Sequence, residues 1–403
     1  MKNNRTFLEK LLDGAEVEWK PLKDVAEYIR GVTYNKANES TNNIGYKVLR
    51  ANNITLSGNT LNFDDIKVIK FDTKVKSSQM LYKNDILISA ASGSREHVGK
   101  VAFIYQDIDY YFGGFMGVIR CNNNVNSRYL FHIFTSSIFQ DYLNDVLNSS
   151  TINNLNSKVM DSFRLPIPPL SVQTEIVKIL DALTALTSEL TSELTSELIL
   201  RRKQYEYYRE KLLSEEELGK VGFEWMPLGE VTNIKTGQAV SKYAISQNPG
   251  IYPVINSGRE PLGFINKWNT ENDPIGITTR GAGVGSITWQ EGKYFRGNLN
   301  YSVTIKSDCK LNVRFLYHIL LHFQKEIHNL CSFTGIPALN ASELKKLEIS
   351  IPAIEEQQRI VSILDKFETF TNSITEGLPL AIEQSQNRYE YYKELLLNFP
   401  GRE

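Results

Sequence analysis

Two glycine-rich segments carry the side chains best suited to chemistry in this 403-residue chain. In the first, Asp85-Ile86-Leu87-Ile88-Ser89 runs into Ala91-Ser92-Gly93-Ser94-Arg95 and then Gly99-Lys100-Val101-Ala102-Phe103. In the second, Ile275-Gly276-Ile277-Thr278-Thr279 runs into Arg280-Gly281-Ala282-Gly283-Val284-Gly285 and then Ser286-Ile287. Each reads as a strand, a turn bearing an arginine, and a second strand. Glycine lets backbone amides approach a phosphate, and arginine beside serine or asparagine can read base edges in a major groove. The candidate DNA-binding residues are therefore Ser92, Gly93, Ser94, Arg95 and Lys100, with Thr279, Arg280, Gly281 and Gly283. Either segment alone could be an ordinary hairpin, but like placement of the two favours a shared role. The run Gly281 to Gly285 is no dinucleotide fingerprint, because a strand rather than a helix comes after it.

Catalytic patterns are missing. The chain has no Asn-Pro-Pro-Tyr/Phe loop for methyl transfer to an amino group, no phosphate-binding G-x-x-x-x-G-K-[ST] and no His-Glu-x-x-His. Glu-x-Lys, half of a nuclease motif, occurs at Glu18-Lys20, Glu291-Lys293 and Glu343-Lys345, close to the chance number for 31 Glu and 28 Lys. His132 and His318 sit at like places in apolar runs and read as structural histidines, so no metal site is expected. Tyr205, Tyr207 and Tyr208, with Tyr389, Tyr391 and Tyr392, read as helix packing rather than base stacking.

These segments sit inside an internal repeat. Val17-Glu18-Trp19-Lys20-Pro21-Leu22 through Gly31 matches Phe223-Glu224-Trp225-Met226-Pro227-Leu228 through Gly237. Arg128-Tyr129-Leu130-Phe131-His132 matches Arg314-Phe315-Leu316-Tyr317-His318. From Leu155-Asn156 through Ile167-Pro168, Gln173, Ile179-Leu180-Asp181 and Tyr205-Glu206-Tyr207-Tyr208, the partner lies a constant 184 residues on. The constant offset means two copies of one helix without a length change. The copies differ most between Gly31 and Arg128, so a framework is repeated while an insert varies.

After Ile167-Pro168-Pro169, apolar residues at 172, 176, 179, 180, 183, 186, 190, 194 and 198 mark an amphipathic helix running to about Leu213. At 1.5 Å per residue it spans roughly 65 Å and needs a partner. The second copy, Glu355 to about Leu397, is that partner, kinked at Gly377-Leu378-Pro379. Thr-Ser-Glu-Leu occurs three times over Thr187 to Leu198, where copy number can change without a frame shift. Leu8-Glu9-Lys10-Leu11-Leu12 echoes Arg209-Glu210-Lys211-Leu212-Leu213, so the first framework unit is split between the chain ends and the arrangement is circular with pseudo-twofold symmetry.

Composition adds exclusions. The 41% hydrophobic content argues against wholesale disorder, and 403 residues exceed one core. Cys121, Cys309 and Cys331 stand too far apart for a thiolate zinc site or disulfide framework, and no signal-like or 18-residue apolar run occurs, so a cytoplasmic protein without membrane contact is expected. Residues 20–160 and 226–350 each carry a net charge of +4, whereas 170–225 and 351–403 each carry −4. Basic inserts on an acidic framework suit phosphate on one and protein partners on the other.

Taken as a set, the duplicated Glu-Trp-x-Pro-Leu, Leu-Asn…Ile-Pro, Gln-x-x-Ile-Val-x-Ile-Leu-Asp and Tyr-Glu-Tyr-Tyr motifs, with Thr-Ser-Glu-Leu between the halves, resemble the specificity subunits of type I restriction-modification systems. Copy one departs at Ser171-Val172-Gln173-Thr174-Glu175, where copy two has the usual Glu355-Glu356-Gln357-Gln358-Arg359. The resemblance implies an α+β chain with two mixed α/β target-recognition domains separated by two long antiparallel helices. Its expected divisions are an N-terminal segment 1–19, recognition domain 20–160, helical spacer 161–222, recognition domain 223–340 and second spacer 341–403. It implies a protein non-catalytic by itself, working within a restriction endonuclease and adenine methyltransferase complex on double-stranded DNA. Two methyltransferase subunits would dock on the helices, through Gln173, Ile176 and Leu180 and through Gln357, Ile360 and Leu364, and restriction subunits would join them. No cofactor is expected on this chain: S-adenosylmethionine, ATP and Mg belong to the partners. A stand-alone DNA nuclease or methyltransferase is the alternative.

Overall fold

The computed structural model describes residues 6–55, 58–92, 95–148, 154–258, 260–372 and 377–399. Gly93 and Ser94 of the first glycine-rich turn lie outside them. The chain divides into two compact units, Met1–Ser192 with Glu383–Glu403, and Glu193–Ile382.

The first unit contains β1 (Glu18–Pro21), β2 (Ala26–Arg30), β3 (Tyr46–Leu49), β4 (Lys67–Ile69), β5 (Met80–Leu81), β6 (Ile86–Ser89), β7 (Val101–Phe103), β8 (Ile108–Phe112), β9 (Met116–Cys121) and β10 (Arg164–Ile167). The second contains β11 (Phe223–Pro227), β12 (Thr232–Thr236), β13 (Pro249–Ile255), β14 (Phe264–Ile265), β15 (Thr270–Glu271), β16 (Ile275–Thr278), β17 (Ile287–Trp289), β18 (Lys293–Arg296), β19 (Asn300–Ile305) and β20 (Glu348–Pro352). The sheets are β2-β9-β6-β7, β4-β3-β8-β5 and the pair β1-β10 in one unit, and β12-β19-β16-β17, β14-β13-β18-β15 and β11-β20 in the other. Adding ten to each strand number converts one topology into the other. The inserts, expected to be where the copies diverge, therefore keep one strand order and differ in side chains and loops.

Strand β6 is buried along its whole length. Alternate side chains point to opposite faces, so Ile86 and Ile88 enter the large core of the first unit while Leu87 enters a second cluster with Leu49, Phe112 and Val118. That is why this strand reads as an unbroken apolar run. The chain crosses from one sheet to the next at Gly31 and Gly237. A Cβ there would stand 2.1 Å from the Gly113 carbonyl oxygen or 2.3 Å from that of Gly297. No larger residue fits so close a backbone approach.

The long helix spans Leu170–Leu212, 43 residues, as its periodicity predicts. Its counterpart is broken rather than kinked: helices Ile354–Asn372 and Leu378–Leu397 flank Gly377, whose φ of +86° suits glycine. Pro379 comes in the first turn of the new helix, where a missing N–H costs nothing. Neither spacer is one body. Val172, Ile176 and Leu180 lie in the core of the first unit and Tyr205 and Leu213 in that of the second, so the boundary falls inside the Thr-Ser-Glu-Leu repeat. Leu396, Leu397 and Phe399 share the first core with Leu8 and Leu22, which brings the two chain ends into one unit. Among the described residues no helix is long and apolar enough to cross a membrane.

Candidate nucleic-acid interface

Backbone bonds set the register between the two glycine-rich turns. Gly99 N–H donates to Ser89 O at 2.9 Å, and Gly285 N–H to Thr278 O at 2.9 Å, so Gly99 and Gly285 correspond. Ala91 bridges to Asn154 and Arg280 to Ala338. The counterpart of Arg280 is therefore Ala91, and Arg95 belongs to a turn three residues longer. Arg95 donates to Asn148 Oδ1 at 2.8 Å and Asn144 Oδ1 at 3.5 Å, tying its guanidinium to the end of helix Ser137–Asn148. Lys100 Nζ lies 2.6 Å from His97 Nδ1. Thr279 is buried, its N–H donating to Leu299 O and its carbonyl accepting from Leu339 N–H. Ser92 is half-buried at the start of its turn. Gly281 takes φ +91° with open space about it, and a Cβ at Gly283 would stand 3.0 Å from Ser257 O. Arg280 is exposed and makes no side-chain hydrogen bond or ion pair with a described residue. Among the described side chains proposed to meet DNA, Arg280 is presented without a tether, whereas Arg95 and Lys100 are held by their own unit.

The six docking residues need a correction. Gln173, Ile176, Leu180, Gln357, Ile360 and Leu364 are all at most 1% exposed. Helical periodicity marks such positions as one face, and that face is turned into the chain's own cores. Gln173 accepts from Asn126 N–H at 2.9 Å and donates to Pro168 O at 2.8 Å. Gln357 accepts from Asn312 N–H at 2.8 Å and donates to Pro352 O at 2.9 Å and Lys310 O at 3.2 Å. Asn126 and Asn312 cap the helices Ser127–Phe134 and Val313–His322. Each glutamine thus clamps a helix start to the end of a framework strand.

About two turns farther along the framework helix, the clamp becomes ionic. Arg128 Nε and His132 Nε2 meet Asp181 Oδ1 at 2.8 and 3.0 Å; Arg314 Nη2 and His318 Nε2 meet Asp365 Oδ1 at 2.7 and 2.8 Å. Partial burial pushes both carboxyls up, but the hydrogen bonds from His and Arg outweigh it and hold Asp181 and Asp365 below their usual range. Burial lowers His132 against the pull of Asp181. Asp365 and Glu368 with His318 bring three ligand-type atoms within 4.8 Å of one another. Arg314 bonds both carboxylates, so a guanidinium fills the place a cation would take. The signal for this clamp was present in the sequence as the repeated Arg-x-x-x-His and Leu-Asp motifs, but only the fold shows that they meet.

The tyrosines divide. Tyr205 is buried, with its hydroxyl 3.2 Å from His318 Nδ1, and Tyr389 accepts from Thr184 at 3.1 Å. Tyr207 and Tyr208 are instead 60% and 40% exposed, and their counterparts Tyr391 and Tyr392 64% and 43%. Helix packing accounts for the first tyrosine of each trio and, in part, for Tyr208, whose ring stacks on Phe367 at a centroid distance of 5.3 Å.

The family model described as "Type I restriction modification DNA specificity domain" matches this chain twice, at residues 15–199 and 220–384. The chain belongs to the type I restriction-modification DNA specificity family. It is 39% identical to a putative type I restriction enzyme specificity subunit of Haemophilus influenzae, over 99% of this chain and all of that protein. It is 31% identical to the specificity subunit of the type I restriction enzyme EcoR124I/EcoR124II of Escherichia coli, over 99% of this chain and 98% of that one. A chain solved in work on complex assembly and conformational transition of the type I R-M system shares the fold, with a TM-score of 0.64 at 17% identity, covering 94% of this chain and 97% of that one. Each family match runs from the first strand of a framework unit into its helix, so the family's unit of sequence includes helix that the fold divides between two bodies.

Proposed function

We propose that this specificity-family chain reads a split, asymmetric double-stranded DNA site, one half per unit. The helices set the gap between the halves and carry two methyltransferase subunits, and restriction subunits join them in the full complex. The observation that carries this is one strand order built twice with different side chains at the same junctions, Arg280 in one unit where the other has Ala91. Unlike readers on like scaffolds suit a site whose halves differ. The +4 charge of each insert favours phosphate, and the −4 of each framework stretch favours protein. Tyr207, Tyr208, Tyr391 and Tyr392 give two like copies of one partner the same exposed aromatic pair on each framework helix. S-adenosylmethionine, ATP and Mg are held by those partners.

The test mixes the pure full-length chain with labelled DNA and S-adenosylmethionine, with and without the methyltransferase subunits of its own system. Methyl transfer should require both proteins. Transfer or cleavage by the chain alone would establish the stand-alone enzyme instead. Replacing residues 238–313 with the insert of a relative should change one half of the methylated site and leave the other.

A further inference from the structure

The geometry points to a reading head in the second unit, formed by Arg280 with Phe333 and Ile336, that recognises a guanine beside a thymine in the major groove. It rests on the DNA-reading function proposed above and assigns that function to particular side chains.

Three loops meet at the end of β16, and the backbone locks them. Thr279 N–H donates to Leu299 O at 2.9 Å, Leu339 N–H to Thr279 O at 2.8 Å and Gly281 N–H to Pro337 O at 3.1 Å. Ser332 and Ala338 exchange a pair of bonds at 2.8 and 3.0 Å, closing the segment between them into a loop pinned beside Arg280. Gly335, at φ +83°, turns the tip of that loop. On it stand Ile336, 73% exposed, and Phe333, 54% exposed and steadied by the His328 ring at a centroid distance of 5.0 Å. Two large apolar side chains held in water contribute little to folding, whereas next to an untethered guanidinium they form a reader of base edges. The arginine fork matches O6 and N7 of guanine, and an apolar side chain matches the C5-methyl of thymine. Open space at Gly281 lets the backbone come close to the duplex.

The first unit presents different chemistry at the same junction. Ala90 and Ala91 N–H both donate to Phe115 O, at 2.9 and 3.0 Å, and Phe115 is 73% exposed. With alanine in the place of Arg280, this head has an aromatic ring, and the guanidinium groups near it are tethered, Arg30 to Asn154 Oδ1 at 3.4 Å and Gly114 O at 3.1 Å and Arg95 to Asn148 Oδ1 at 2.8 Å. The guanine requirement therefore belongs to the half-site read by the second unit.

The experiment uses the full chain assembled with the methyltransferase subunits of its own system, selecting bound duplexes from a randomised double-stranded DNA pool. Arg280→Ala should relax one base position in one half-site and weaken binding to the selected sequence by about ten- to a hundredfold. Arg280→Lys should lose the guanine preference yet keep the salt dependence, because lysine retains charge without the fork. Ile336→Ala should relax a neighbouring position, and Phe115→Ala should act only on the other half. Uniform weakening across all sequences by Arg280→Ala, with a shallower salt slope, would make Arg280 a phosphate contact and overturn the proposal. Loss of complex assembly with the base preference intact would overturn it in favour of a protein contact. A wild-type complex that selects no sequence at all would instead remove the DNA-reading function on which the head rests.

Discussion

Gln357→Glu separates a buried clamp from a docking residue. The wild-type side chain is 1% exposed, and its Nε2 donates to Pro352 O at 2.9 Å and Lys310 O at 3.2 Å. Glutamate keeps the shape but puts an oxygen opposite those two carbonyl oxygens. Two donated bonds are lost at about 1 kcal/mol each, and a buried carboxylate left unpaired on that side adds about 1–3 kcal/mol. The second unit should lose about 3–5 kcal/mol at neutral pH, or roughly 6–20 °C of melting temperature for a domain of this size. Protonation restores one donor, so the folded-state pKa of the introduced carboxyl must lie above its unfolded value of about 4.3. A raised carboxyl contributes its stability in full below the unfolded pKa and loses it as pH rises through the folded pKa. The deficit against wild type should therefore grow from about pH 5 to about pH 8. Urea unfolding tracked by tryptophan fluorescence reports mainly on this unit, which holds Trp225, Trp268 and Trp289 against Trp19 in the other. A deficit under about 1 kcal/mol, or one unchanged between the two pH values, would refute the buried clamp.

Inserting one Thr-Ser-Glu-Leu after Leu194 extends the helix by four residues, about 6 Å, and rotates the segment beyond it by about 40°. Methylation mapping should show the half-sites unchanged and the gap wider by roughly one to two base pairs, since DNA rises about 3.4 Å per pair; an unchanged gap in an active complex would place the ruler elsewhere. His132 is buried and held below its ordinary 6.5, so the unfolded chain takes up a proton that the fold resists. The first unit should keep its full stability above about pH 6.5 and lose it as pH falls toward the folded pKa. Calorimetry should find a flatter dependence in His132→Gln; an equal slope in both proteins would assign the titration to another group.

The repeat and the 43-residue helix were legible because both are one-dimensional signals: identity at a constant offset, and apolar residues at helical spacing. The same periodicity misled at Gln173, Ile176, Leu180 and their counterparts. It identifies one face of a helix without saying whether that face meets a partner or the chain's own core, and here it meets the core. Arg95 and Arg280 looked equivalent because each comes after a strand in a glycine-rich turn. Register, set by hydrogen bonds to residues 115–154 in one unit and 299–338 in the other, pairs Arg280 with Ala91 instead.

The duplication, the long helix and the family all depend on residue order, so they could be read before any coordinate was known. Which side chains face water depends on packing, and only the folded chain settles it. Asp181 and His132 are 49 residues apart and Gln357 and Asn312 are 45 apart, yet each pair is in contact. Packing also divides the long helix between two units and sets Arg280 beside the loop that carries Ile336. Such contacts join segments distant in the chain, and they form only when strands such as β2 and β9 pair across the whole insert, which no local pattern specifies.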